Sequence, residues 1–183
     1  VTAVNPDTPT VLVELLADHP AFGDPDQARL EPARAGDAGL DLVACEAVEL
    51  APGERAAVSA GLRLGLPPGI EGQVRPRSGR ALREGLGVVN APGTIDPGYR
   101  GPIKVLLLNT GPAVDAADLA GDPATLAERL RTGLERRTIH VERGERIAQL
   151  VFTRFERPAV QVVDEVPTET ERGEGGFGST GRH

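Results

Sequence analysis

Short runs of strand-forming residues recur along this 183-residue chain between glycine- and proline-rich turns, at 11–16, 40–44, 47–50, 55–66, 70–75, 87–89, 103–108, 138–141, 146–155 and 160–165. Runs this short and this evenly punctuated predict an all-β sandwich or barrel. Alternation shows in Arg63-Leu64-Gly65-Leu66 and in Gln161-Val162-Val163-Asp164, the mark of a strand with one wet face. Val105 to Leu108 is apolar throughout and reads as a strand buried on both faces, with a buried helix segment as the alternative; its short length and the flanking Gly101 and Asn109-Thr110-Gly111 favour strand. A chain of this length fits one domain with a real core.

Two stretches read as helical. Ser78-Gly79-Arg80-Ala81-Leu82-Arg83-Glu84, following Arg77, starts with a Ser suited to the N-cap and stops at Gly85. The second begins at Asp122-Pro123, a cap followed by proline at the first helical position, and sets Leu126, Leu130 and Leu134 on one face. It reads as a helical excursion near 115–136, within an insert spanning 112–137, with a lid as the alternative. Residues 1–167 are expected to form the β-domain. The Gly-, Ser- and Glu-rich stretch 168–183 has no apolar periodicity and reads as a flexible C-terminal tail.

The net charge of −7 argues against a nucleic-acid surface, which needs clustered Lys and Arg. A short polyanionic ligand stays open, because local arginine placement outweighs the global sign. Cys45 is the lone cysteine, so no intrachain disulfide is available, and a cytoplasmic location is expected. No apolar run approaches the ~20 residues of a membrane span.

Chemistry-bearing residues gather in a few places. Gly93-Thr94-Ile95-Asp96-Pro97-Gly98-Tyr99-Arg100-Gly101 puts a carboxylate and a ring on one turn between apolar runs, which reads as a tight β-connection. Asp before Pro is also an ordinary turn initiator. Arg75-Pro76-Arg77-Ser78-Gly79-Arg80 places guanidinium groups at a helix start, a candidate phosphate cradle or a capped helix with solvated arginines. Asp41 stands in the apolar run Leu40 to Leu42, and Gln149 among apolar neighbours after Arg143-Gly144-Glu145-Arg146. In the tail, Arg172 precedes a glycine series holding Phe177, Gly178 and Ser179, where backbone N–H groups can wrap phosphates and a ring can cover a base. His19, His140 and His183 are scattered, so neither an imidazole triad nor a His/Cys metal site has support.

Taken in order, Ala38-Gly39-Leu40-Asp41-Leu42, Pro76-Arg77-Ser78-Gly79, the run from Asn90 to Gly101, Arg143 to Leu150 and Arg172 to Thr180 resemble the five motifs of the trimeric deoxyuridine triphosphate nucleotidohydrolases, the dUTPases. Two parts depart from that pattern: 19–27 is longer than usual, and 112–137 replaces a short turn. The resemblance implies a jelly-roll-like distorted β-barrel, a homotrimer with shared active sites, Mg2+, and hydrolysis of dUTP to dUMP and pyrophosphate. That reaction limits uracil incorporation into DNA and supplies dUMP for dTMP synthesis. By the same resemblance, Asp96 is the base that activates water against the α-phosphorus, and Tyr99 lies under the deoxyribose. Asn90, with backbone at Thr94, Ile95, Asp96 and Lys104, would read uracil. Arg77, Ser78, Gly79 and Gln149 would hold phosphates, and Asp41 would place a hydrated magnesium. Phe177 would stack on the base and Arg172 would meet the γ-phosphate, with Gly178 and Ser179 adding substrate contacts. The related dCTP deaminases, alone or bifunctional, are the nearest rival, but their catalytic Glu lies where this chain has Leu106. A non-catalytic nucleotide-binding regulator that uses the insert to meet a partner is the other.

Overall fold

A computed structural model describes residues 8–24, 30, 32–167 and 170. Eleven strands and three α-helices follow the order β1 (Leu12–Leu15), β2 (Gly39–Val43), β3 (Val48–Leu50), β4 (Arg55–Ser59), β5 (Leu62–Gly65), β6 (Ile70–Pro76), α1 (Ser78–Glu84), β7 (Leu86–Val88), β8 (Gly93–Ile95), β9 (Lys104–Asn109), α2 (Ala116–Leu119), α3 (Leu126–Arg137), β10 (Ile139–Val141) and β11 (Arg146–Arg154) among the described residues. The expected mostly-β architecture is present, with one short helix after Arg77 and a helical insert. The strands form four antiparallel sheets, ordered β1-β5, β10-β3, β2-β11-β6-β8 and β4-β9-β7.

Register explains which residues reach the core. Directly opposed residues share a face of an antiparallel sheet. In the four-stranded sheet, Leu40, Leu150, Val74 and Gly93 stand in one row, next to Leu42 opposite Ala148. This face meets Val58, Val105, Leu107 and Leu86 of the three-stranded sheet in one continuous apolar cluster. The opposite face carries Asp41, Gln149 and Arg75 in one row, and Gln73 beside Thr94 in the next. One side of this sheet therefore builds the interior and the other presents polar groups.

The run 55–66 is two strands, because the chain turns at Ala60-Gly61 to pass from β9 to β1. β9 buries Val105 and Leu107 completely, whereas Leu106 and Leu108 are only half-buried, so this apolar run has one open face after all. The run 160–165 forms no strand. It pairs with no strand among the described residues, and Val160 and Val162 are at least 90% exposed. Ser78 is the first residue of α1 rather than its cap; Arg77 holds the cap position and makes no side-chain capping bond. Gly85 ends the helix in the left-handed region at φ 73°, as expected of a glycine there.

The insert is held by charge more than by leucines. Asp122 caps a short 3-10 turn, accepting from the Ala124 N–H, and α3 follows from Leu126. Leu126 and Leu130 are half-buried and Leu134 is exposed. α2 falls at the start of the expected helical stretch 115–136, though not as the separate helix it is: Asp115 and Asp118 close a capping box around it, each carboxylate accepting from the other's backbone N–H. Asp118, 3% exposed, then pairs with Arg137 at the end of α3. Asn109, fully buried, fixes the base of the insert by donating to the Leu50 and Arg137 carbonyls and accepting from the Gly111 N–H.

Candidate active site

Residues 89–103 leave and rejoin the same sheet. β7 and β9 pair with each other, Val88 opposite Leu107, and the Val89 N–H donates to the Leu106 carbonyl. Between them the chain crosses to the other sheet, where β8 pairs with β6. The expected tight connection is therefore a long crossing loop braced on two sheets. The Tyr99 N–H closes a turn on the Asp96 carbonyl, and the Arg100 guanidinium donates to the Pro97 and Tyr99 carbonyls at 2.6 and 2.8 Å.

This loop walls a cavity of about 340 Å3 lined by Val74, Asn90, Gly93, Thr94, Ile95, Asp96, Tyr99, Pro102, Ile103, Lys104 and Leu106. Six residues singled out in the sequence meet here: Asn90, Thr94, Ile95, Asp96, Tyr99 and Lys104. Asp96 is exposed and supplies the only carboxylate of the lining. Ile95 is buried in the core, so it can offer the cavity only backbone. Tyr99 donates its hydroxyl to the Pro102 carbonyl at 3.1 Å, which fixes the ring across the loop. At Gly93 an added β-carbon would stand 3.0 Å from Asn90 Nδ2, so glycine makes room for the carboxamide. Sequence reasoning missed the apolar walls Val74, Pro102 and Ile103, and marked Leu106 only as the position of the deaminases' Glu. Leu106 follows from strand period alone, being two residues beyond Lys104 on the same face of β9.

A second cavity of about 570 Å3 gathers Arg77, Ser78, Gly79 and Gln149, as expected, with Arg80, Arg83, Glu84, His140, Gly144, Glu145 and Arg146. Four guanidinium groups (Arg77, Arg80, Arg83, Arg146) face two carboxylates (Glu84, Glu145), so cations are in excess. Arg80 is spent on those carboxylates, meeting Glu84 at 2.6 Å and Glu145 at 3.1 Å. Asp41 sits between two of the others, 3.4 Å from Arg77 Nη1 and 3.4 Å from Arg146 Nη1. The two cavities share no lining residue, so one chain does not bring Asp96 and the arginine cradle into a single pocket. Arg172, Phe177, Gly178 and Ser179 lie outside the described residues.

Cys45 is buried, which pushes its thiol up to about 11, so it offers no thiolate at neutral pH. No group of three or more His, Cys, Asp or Glu side chains placed to hold a metal occurs among the described residues.

The sequence profile of the dUTPase family matches residues 27–114 and 132–181. The chain belongs to the dUTPase family. The unmatched gap, 115–131, falls on α2 and the first half of α3, which marks the insert as an addition to the family's common chain. The deoxyuridine 5'-triphosphate nucleotidohydrolase of Thermobifida fusca (strain YX) is 51% identical over 160 residues, 87% of this chain and 76% of that one. A Staphylococcus bacteriophage 80alpha dUTPase, solved as a mutant with dUpNHpp, superposes with a TM-score of 0.70 at 28% identity, covering 95% of this chain and 99% of that one. The dUTPase of phage phi11 of S. aureus shares the fold, with a TM-score of 0.63 at 24% identity over 85% of this chain and 97% of its own; that mutant structure details coordination of a structural Mg(II) ion.

Proposed function

We propose that this protein hydrolyses dUTP to dUMP and pyrophosphate, with Asp96 as the base that turns a water molecule toward the α-phosphorus. The observation that carries this reading is the single carboxylate of the first cavity, exposed on a loop braced by two sheets beside a ring fixed in place. Phosphoryl transfer asks the protein for positioning, a base and positive charge, with little covalent work. Asn90 and the backbone at Thr94 to Asp96 and Lys104 offer the donors and acceptors a uracil edge needs. The Tyr99 ring presents a wall with no partner for an added 2'-hydroxyl, which is how a site rejects a ribonucleotide. Such an enzyme limits uracil in DNA and supplies dUMP for dTMP synthesis.

Arg77, Ser78, Gly79 and Gln149 hold the triphosphate in this scheme. Because they line a different cavity from Asp96, the complete site is assembled from neighbouring copies in a homotrimer. The unpaired segment 160–166 supports that assembly: Val160, Val162 and Val166 are 90%, 94% and 71% exposed, a surface suited to burial against another copy. The tail residues Arg172, Phe177, Gly178 and Ser179 complete the site over the bound nucleotide, a role that rests on the family motif alone.

Magnesium suits this arrangement as a hydrated ion carried by the phosphates. It keeps several waters and takes few protein ligands, and Asp41 is one carboxylate already flanked by two arginines. When bound, the ion would screen phosphate charge, with Asp41 reaching it through water. A cytoplasmic location agrees with the lone buried thiol of Cys45, and no helix among the described residues is long and apolar enough to cross a membrane.

The deaminase reading loses on one observation. Leu106 occupies the place of the required Glu and lines the same cavity as Asp96, leaving no second carboxylate to shuttle protons. Incubating the protein with dUTP, dCTP, dTTP or UTP while measuring pyrophosphate and ammonia tests the assignment. Pyrophosphate from dUTP without ammonia from dCTP is expected; ammonia, or no product from any of the four, refutes it.

A further inference from the structure

The arginine-rich cavity does not end at the cradle. It shares Arg83, Glu84 and His140 with a further cavity of about 470 Å3. The far wall of this outer cavity is built by the insert, at Gly111 and Pro112 where it departs and at Arg136 and Arg137 where it returns.

Its charge is unbalanced. The Arg83 side chain, in the last turn of α1, makes no ion pair or hydrogen bond among the described residues. Arg136 is 63% exposed and stands 3.7 and 3.9 Å from Asp115 and Asp118, both of which Arg137 already meets more closely. Arg137 Nε is the one buried side-chain polar atom without a hydrogen-bond partner among the described residues. On the acidic side, Glu84 is held by Arg80 at 2.6 Å, and His140 faces Glu49 at 3.3 Å. One unpaired guanidinium, Arg83, and a loosely paired one, Arg136, at the edges of a concave site suit an oxyanion, because planar forks donate in pairs to phosphate oxygens. No Phe, Tyr or Trp lines the cavity, so it has no platform for a nucleobase, and its volume suits a bare oligophosphate.

We propose that this outer cavity is a second anion site, selective for diphosphate-class anions, which receives the pyrophosphate released from the cradle past Arg83. The product role rests on the hydrolytic reading above; the anion site itself does not. Arg83 stands at the junction of the two cavities and can pass an anion between them, while Arg136, contributed by the insert, belongs to the outer one alone. The insert thereby gives the enzyme a place for its product distinct from the place of its substrate.

The test is titration of inorganic pyrophosphate into the full-length protein already saturated with dUpNHpp, followed by calorimetry and phosphorus NMR. One pyrophosphate per chain is expected to bind without displacing the analogue. Arg136→Ala and Arg83→Ala are each expected to weaken it about tenfold or more, the loss of a charge-assisted hydrogen bond. Arg131→Ala, on the outer face of α3 and absent from the cavity lining, is expected to bind as the parent does. Competition with the analogue and no ternary complex, or wild-type pyrophosphate affinity in Arg136→Ala, would overturn the proposal. If the protein neither binds dUpNHpp nor cleaves dUTP yet takes up pyrophosphate in an Arg136-dependent way, the anion site stands and the hydrolytic reading falls.

Discussion

Gly133 faces the buried carboxylate of Asp118: a β-carbon built on that glycine would overlap Asp118 Oδ1. The glycine sits within α3, where alanine is ordinarily the better residue by ~1 kcal/mol. Here the order is reversed, because Asp118 must stay where Arg137 and the Asp115 N–H hold it. Gly133→Ala is expected to lower the melting temperature rather than raise it, as read by differential scanning calorimetry. A raised melting temperature would mean that α2 yields to α3.

Asn109 makes three hydrogen bonds with no exposure to water. Asn109→Ala strands the Leu50 and Arg137 carbonyls and the Gly111 N–H, at a cost of about 1–3 kcal/mol for each buried group left unpaired. A loss of at least ~2 kcal/mol in urea unfolding is expected, and a neutral variant would show that water repairs the gap.

Stability should fall in acid in two separable stages. His19, 8% exposed, accepts the Ala21 N–H on Nδ1. Burial lowers its pKa below the ordinary 6.5, opposed by Asp18 and assisted by Arg143. The folded chain therefore binds fewer protons at this site than the unfolded chain, so stability is full above 6.5 and declines as pH falls below it. Asp118 is also held below its ordinary 3.8, chiefly by the Arg137 hydrogen bond, and its contribution disappears only in stronger acid. His19→Asn should flatten the first stage of a melting-temperature profile against pH and leave the second in place.

At the site, Asp96→Asn is expected to bind dUpNHpp nearly as well as the parent while pyrophosphate release falls by about 10²–10⁴-fold, the usual worth of a positioned base. Turnover close to the parent's would remove Asp96 from that role.

Tyr99→Ala takes away the ring that the Pro102 carbonyl fixes in the cavity wall. The ratio of kcat/KM for dUTP over UTP is expected to drop about tenfold or more. An unchanged ratio would place sugar selection elsewhere.

The strands and the first cavity were legible because both rest on local signals. Strand period and Gly/Pro punctuation located nine runs that hold strands, missing only the short β8, and the turn chemistry around Asp96 pointed to residues that do meet in one cavity. What escaped depends on partners distant in sequence. The run 160–165 alternates like a strand, yet a strand also needs an edge to pair with, and among the described residues this run pairs with none. Ser78 has the chemistry of a cap, but β6 continues to Pro76 and moves the helix boundary back to Arg77. α2 is a single turn of four residues, too short for an apolar period to announce it; the Asp115/Asp118 spacing was its mark. The separation of the cradle from Asp96 follows from which sheet each loop leaves, and motif order carries no trace of that.

The crossing of 89–103 between sheets has a consequence for how activity is lost. A loop tethered at one end can fray while the rest of a protein stays intact, but this one is clamped by β7 and β9 on one side and by β6 on the other. Heat or denaturant should therefore extinguish the reaction together with the fold in a single cooperative step, and the β8 amides bonded to β6 should exchange only through that opening.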